Sequence, residues 1–577
     1  FPFHEVRLAC MERLEKREWL GLALLFVIIG GLLSYLPFHG QKVFLSPDET
    51  GVFAVAQHWA EEGTAAIKEP LAQAIPWLHP RSFISHDLTI VPVGFLGWPW
   101  IISWFIAIFG PAAGPVAGML MILSCMYPVY RLMRPMGKEA AYIGTVIATT
   151  SPAFLLYGNR SLFPNAAIIA LALWSAWSFK SLVNTGETGA SRRSSEADDS
   201  LRINERRQKI ILTLFGLVSA LAVSIRPIEA VWIVPWFFAL GWGWLPSKKQ
   251  WPWILLGIGL VLLPLAWEAQ HLYGGFWKTG YWMKGNPMMA TTQAMPQNTY
   301  TPELFPFGIH PRSIAWNVYT FLGKMLFPWM MPLLMVMFLY GAKIVEEARL
   351  TIPKKSGLQN QVKAFIAILT GSGSSSSYNR RYVLAGLWTW MFLVLYYGNG
   401  RYVDNINGNP SIGNSFVRYL LPLGFISGLA LAWISRMSRF AKYGRVFVFA
   451  IVLIMSGTGI WRAYSADEEG VLAGRRELDR YTEIRQAVSA YLKPGDIVIS
   501  DRSDKIFFPT YRAISPIPPL DEAGLLNEAV KQGVGIGLFA RPMAQQQKDQ
   551  WRKSGLEPVE LATYGREKFY RLQPIQP

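Results

Sequence analysis

The sequence predicts a polytopic helical membrane bundle of about eleven spans, followed by a small C-terminal α/β domain. Three observations predict it. The 577 residues are 51% hydrophobic and only 16% charged, with 24 Trp, 33 Phe and 23 Tyr, more apolar surface than one soluble core can hide. Apolar runs of near-bilayer length recur along the chain, and after residue 462 the composition turns sharply polar.

The apolar runs fall at about 18–38, 112–130, 140–157, 165–181, 210–225, 228–245, 251–269, 325–344, 382–398, 419–435 and 445–462. Alternate loops between them are basic: Arg13, Lys16 and Arg17; Arg131, Arg134 and Lys138; Arg192, Arg193, Arg206 and Arg207; Lys248 and Lys249; Lys354, Lys355, Arg380 and Arg381; Arg436, Arg439, Lys442 and Arg445. Positive charge marks cytoplasmic loops, so the N-terminus is expected in the cytoplasm and the C-terminal domain outside a plasma (inner) membrane. The run at 89–110 breaks this alternation if it crosses, and Pro92, Gly94, Gly97 and Pro99 disfavour a straight lipid-exposed helix. It is expected to lie in the interface or re-enter the membrane. The basic, apolar start reads as a retained signal anchor, because its apolar part is long and no small-residue cleavage site follows.

The net charge of +17 resides in those short loops, with no basic face or binding motif beside it, which argues against nucleic-acid binding. Cys10 and Cys125 cannot build a disulfide framework. The segments at 185–200 and 370–377 read as flexible linkers. Beyond residue 463 the pattern gives helix, a Pro494-Gly495-Asp496 turn, the strand IVIS, helix, the strand GVGIGLFA, another helix and short strand-like runs. Gly533, Gly535 and Gly537 enter a strand instead of leaving one, so they form no dinucleotide fingerprint.

Polar residues crowd the predicted outer face. Asp48 and Glu49 stand just after the first run, before an amphipathic pattern with apolar residues at 52, 53, 56 and 59. At a helix start the dipole favours an ionised carboxylate, and such a group can take a proton from a hydroxyl nucleophile; the alternative is a simple helix cap. HPRSFISHD supplies His79, Arg81, His86 and Asp87, YGNRSLFPNAA supplies Asn159, Arg160 and Asn165, and SIRPIEA supplies Arg226 and Glu229. HLYGGFWKTGYWMK adds His271, Lys278 and Lys284, and Arg418 opens a later run. A lone cation at a membrane edge is more often a snorkelling anchor than a ligand. Together these could complement a lipid-linked phosphate, Arg bidentately and Lys as a point charge.

In this layout the chain resembles the GT-C superfamily of polyprenyl-phosphate-sugar-dependent glycosyltransferases, the protein O-mannosyltransferases and aminoarabinose transferases. PDETGVFAVAQHWAEEG, RSFISHDLTIVPVGFLGWPW, NRSLFPNAA, LYGGFWKTGYW and RYLLPL carry the resemblance, in family order over roughly residues 18–440. It implies that residues 1–462 form the catalytic domain, while the α/β domain over 463–577, placed outside by loop charge and without a recognisable catalytic constellation, is expected to position acceptor or partners. It implies transfer of a sugar, hexosyl or pentosyl, from a polyprenyl-phosphate donor to a glycan, lipid or protein acceptor. Asp48 matches the family's acidic residue, the general base, with Glu49 shaping the site or aiding a divalent metal where one is used. Arg160, Arg226, Lys278 and Arg418 are the candidates for the donor phosphate, and His86, Asp87 and Asn165 for substrate. The chain departs from the pattern at Asn165, where many relatives carry an acid, and at Thr50, Gly51 and Val52, where aminoarabinose transferases carry an Arg. Glu229, Asp87 or Asp404 are the substitutes. A transporter or lipid flippase is the alternative class, though few ionisable residues fall near the middle of the runs.

Overall fold

A computed structural model describes residues 14–39, 43–191, 198–241, 246–283, 308–351, 377–400, 402, 410–436, 444–466, 469–519 and 522–575. Lys284, Asp404 and Cys10 lie outside the described residues, as do 192–197 and 370–376 of the expected linkers; the linker reading of 185–191 and 198–200 is corrected, since these residues continue the helices Pro164–Ser191 and Asp198–Ile225. A helix forms at each of the eleven apolar runs. Among the described residues five helices are long and apolar enough to cross a membrane: Ala113–Met136, Pro164–Val183, Glu205–Ile225, Trp251–Tyr273 and Gly444–Ser465. Two bent pairs bring the number among the described residues to seven if each is one span: Lys138–Thr149 with Pro152–Asn159, bent by 59°, and Pro311–Met325 with Phe327–Ala342, bent by 100°. Pro152 opens the second half of the first pair, where its missing N–H is tolerated.

The chain divides into two compact units. One comprises Phe1–Tyr35, Met119–Leu262 and Thr299–Val471. At its centre the helix Leu421–Ser435 is buried almost all round, as expected of a helix without a polar face. Its glycines allow near contact with Lys138–Thr149: a Cβ on Gly144 would meet the Gly428 carbonyl at 2.9 Å. Close backbone approach through small residues is how helices pack where no water drives them together. Helix Lys16–Leu33 is anchored at Glu18, buried, which accepts from Tyr130 Oη at 2.6 Å and Arg134 Nε at 2.5 Å. By contrast, helix Gly444–Ser465 leaves Val446, Phe447, Phe449, Leu453, Ile454 and Trp461 exposed, a face suited to lipid and not to water.

The second unit comprises Leu36–Gly118, Leu263–Asn298 and Leu472–Pro577. The run at 89–110 forms a strand, Thr89–Pro92, and a helix, Gly97–Phe109, whose 13 residues rise about 20 Å, less than a bilayer core. Strands β1 (Ile67–Lys68), β2 (Phe83–His86) and β3 (Thr89–Pro92) form an antiparallel sheet in the order β1-β3-β2. The C-terminal part holds β4 (Ile497–Ser500), β5 (Arg512–Ile514), β6 (Ile536–Ala540), β7 (Leu556–Tyr564) and β8 (Glu567–Pro574), in the order β5-β4-β6-β8-β7. Strand β4 runs parallel to both β5 and β6, while β8 pairs antiparallel with β6 and β7. Strand alternation sorts its two cores: Ile497 and Ile499 face Leu526 and Trp551, and Val498 faces Ile484, Phe507 and Tyr511. Leu71, Ile75 and Leu78, from the loop that follows the first helix, belong to the first of these cores. The compact unit containing the region from Leu472 onward therefore takes in that early loop, Leu36–Gly118.

Candidate active site

In the second unit, the acidic pair opens helix Pro47–Glu62. Ser46 is the N-cap, with extended backbone and its Oγ accepting from the Asp48 N–H at 3.2 Å, and Pro47 takes the first helical position. The capping oxygen belongs to Ser46, so the simple-cap reading of Asp48 is corrected. Asp48 stands in the first turn with its side chain exposed, while Glu49 is buried at 4% exposure. Phe53 of the same helix packs on Phe44 at 5.0 Å and fixes the entering chain.

His86 and Asp87 occupy the tip of the β2–β3 hairpin. Asp87 adopts φ +52°, a left-handed turn conformation that Asp tolerates better than most residues, and its side chain is 89% exposed. His86 Nε2 lies 4.0 Å from its carboxylate. His79, in contrast, is buried, and that burial holds its imidazole below the ordinary value of 6.5 despite the pull of Asp504. His271 is exposed against the Trp267 ring, 4.6 Å between centroids. Lys278 is exposed in a tight turn closed by its own N–H to the Gly275 carbonyl at 3.1 Å. Among the described residues, no three His, Cys, Asp or Glu side chains gather into a cation site.

In the first unit, three of the four expected phosphate ligands come together from three distant segments. Arg160 follows the end of helix Pro152–Asn159 and lies over Phe163, 4.6 Å from its centroid. Arg418 lies 5.3 Å from the same ring and 5.2 Å from that of Tyr419. Arg226, at the turn before Pro227–Glu229, lies 4.8 Å from Tyr419 and 5.6 Å from Tyr397. Tyr397 and Tyr419 stack in parallel, 4.0 Å apart with 1° between planes. Glu229, buried, accepts from Tyr397 Oη and Trp232 Nε1, each at 2.5 Å, and stands 3.6 Å from Arg226. Aromatic faces stabilise guanidinium groups where water is scarce. The group brings three guanidinium groups together, of which Arg226 lies beside the Glu229 carboxylate, and guanidinium groups pair bidentately with anions such as phosphate.

Asn165 is buried at the start of helix Pro164–Ser191, and Asn159 is spent on structure, donating to Leu32 O at 2.8 Å and Leu155 O at 3.0 Å. The aromatic plates were missed from sequence. Phe163 and Tyr419 lie inside NRSLFPNAA and RYLLPL without a role assigned, and Tyr397 sits in a π-type turn, Leu393–Tyr397, that periodicity does not announce.

No protein-family model matches this chain, and no curated protein matches its sequence. Among solved structures it is similar to ArnT from Cupriavidus metallidurans, a crystal structure bound to undecaprenyl phosphate. The identity is 11%, the match covers 96% of this chain and 98% of that one, and the TM-score is 0.52. At that identity the likeness speaks to the fold, and over nearly its whole length this chain has the fold of ArnT.

Proposed function

We propose that this chain is an integral-membrane glycosyltransferase that moves a sugar from a polyprenyl-phosphate-linked donor to an acceptor at the outer membrane face. Asp48 takes the acceptor's proton as its oxygen attacks the anomeric carbon, and Arg160, Arg226 and Arg418 stabilise the departing lipid phosphate. Lys278 adds a point charge from its exposed turn. His86, Asp87 and Asn165 are the candidates for substrate contact, and Glu49 supports Asp48, alone or with a divalent metal.

The observation that carries the reading is the GT-C fold, which the chain shares with a protein crystallised on undecaprenyl phosphate, together with the convergence of three arginines on one aromatic group. The exposure of Asp48 in the first turn of a helix capped by Ser46 supports its role as base, because an exposed side chain there can meet an incoming hydroxyl. Asp48→Asn tests it. The change preserves size and first-turn polarity but removes the base, whose contribution is typically about 10²- to 10⁴-fold. The variant should insert, bind undecaprenyl phosphate and transfer sugar at least about 100-fold more slowly. Wild-type turnover by Asp48→Asn, with donor and acceptor identified, removes Asp48 from the mechanism.

A further inference from the structure

We propose that two consecutive residues of the C-terminal region, Asp504 and Lys505, are positioning residues that hold the start of the Asp48 helix in place. The inference rests on the reading of Asp48 as the base, and all of the contacts that carry it lie within the second compact unit.

In an open α/β sheet, ligands bind beyond the carboxyl ends of parallel strands where the strand order reverses. Here that place is the end of β4, since the chain passes from β4 to β5 on one side and later to β6 on the other. The short helix Asp504–Phe507 follows β4. The crevice is filled by the chain itself. Arg81 donates its Nε and Nη2 to Asp504 Oδ1 at 2.9 and 2.6 Å, its backbone N–H to Oδ2 at 3.0 Å, and Nη2 again to the Arg502 carbonyl at 2.6 Å. The N–H of Ser515, just past β5, donates to the His79 carbonyl at 3.2 Å. Asp504 is 1% exposed, so its charge is balanced by this guanidinium in a nearly dry setting.

Arg81 fixes Ser82, and Ser82 meets the Asp48 helix at Gly51, where an added Cβ would lie 2.9 Å from the Ser82 Cβ. On the other side, Lys505 Nζ lies over the Tyr481 ring at 4.9 Å and donates to the Leu45 carbonyl at 2.7 Å. Leu45 immediately precedes Ser46, whose Oγ caps Asp48 and whose carbonyl accepts from both Thr50 N–H and Oγ1 at 3.0 Å. Neighbouring residues of one short helix therefore grip the Asp48 turn at its entry and at its flank. A general base misplaced by about 1 Å loses roughly 100-fold in rate, so such a grip has catalytic consequence without contact with substrate.

The test uses the full chain in lipid nanodiscs with Lys505→Met, which removes the donor, and Lys505→Arg, which keeps one. Backbone hydrogen exchange is followed in the peptide covering residues 46–50, and turnover with an undecaprenyl-phosphate sugar that the unaltered chain uses. In Lys505→Met, exchange at Thr50 should rise at least about tenfold and kcat should fall at least about tenfold with the donor KM within about twofold; Lys505→Arg should restore both to within about threefold. Unchanged exchange in Lys505→Met, or failure of Lys505→Arg to restore it, overturns the proposal. Faster exchange with normal turnover overturns the positioning role if Asp48→Asn is slow. If Asp48→Asn is also normal, the same result overturns the assignment of Asp48 as base and leaves the mechanical grip standing.

Discussion

The arginine group of one unit and the acidic turn of the other are held in opposite ways. Arg160, Arg226 and Arg418 rest on the faces of Phe163, Tyr397 and Tyr419, with the buried Glu229 pinning one edge of the stack. Asp48 is exposed, and its backbone is held through the Ser46 cap and the Leu45 carbonyl. A cation that must bind an anion gains from a pre-arranged, desolvated setting, where each charge pair is stronger. A base must meet an incoming hydroxyl, so its side chain stays accessible and the surrounding scaffold supplies the precision.

The contrast can be broken most severely at Glu229. Glu229→Ala leaves Arg226 without its near carboxylate and frees the Tyr397 and Trp232 donors, so unfolding free energy in detergent should fall by about 3–5 kcal/mol. Chemical denaturation followed by Trp fluorescence measures it, and a loss under about 1 kcal/mol would mean that Glu229 does not hold the stack. Next comes Asp48→Asn, a loss of at least about 100-fold in turnover, or about 2.7 kcal/mol of barrier, with unaltered unfolding. That pair of outcomes separates a held charge from an accessible one.

Tyr419→Leu removes the ring shared by Arg226 and Arg418 and should weaken undecaprenyl phosphate binding by about tenfold, while Tyr419→Phe restores it to within about threefold. Equal loss in Tyr419→Phe would shift the credit from the ring face to the hydroxyl, which accepts from Arg418 Nη2 at 3.3 Å. The smallest effect is expected from His79. Its folded value lies below 6.5, so as pH falls the unfolded chain takes up the proton first. Stability of the surrounding loop is full above about 6.5 and declines below it. Hydrogen exchange across residues 75–83, corrected for intrinsic rates, should accelerate between pH 7.5 and 5.5, and His79→Leu should flatten that slope.

Much of the helical layout was legible because period and length are local properties. The turn at Arg226-Pro227, the helix beginning at Pro47 and the strands at Ile497–Ser500 and Ile536–Ala540 all appear where their residues place them. The three-residue β5 was not foreseen, since so short a strand carries too few residues for alternation to show. Asp48 was legible as an acid at a helix start, but not that Ser46 would take the cap, because serine, aspartate and asparagine compete for that position almost equally. Arg81 read only as one of several outer-face polar residues and Asp504 drew no notice, because an ion pair spanning over four hundred residues leaves no trace in either neighbourhood.

What the sequence by itself determined is the distribution of apolar length, turn residues and charge: where helices and strands form, and that cations and acids cluster in the loops between apolar runs. Only the tertiary structure decided which of those charges share an environment. Burial energy is set by area and pattern, which the chain carries locally, whereas ring stacking and charge pairing fall off within a few ångströms and exist only once distant segments are folded together.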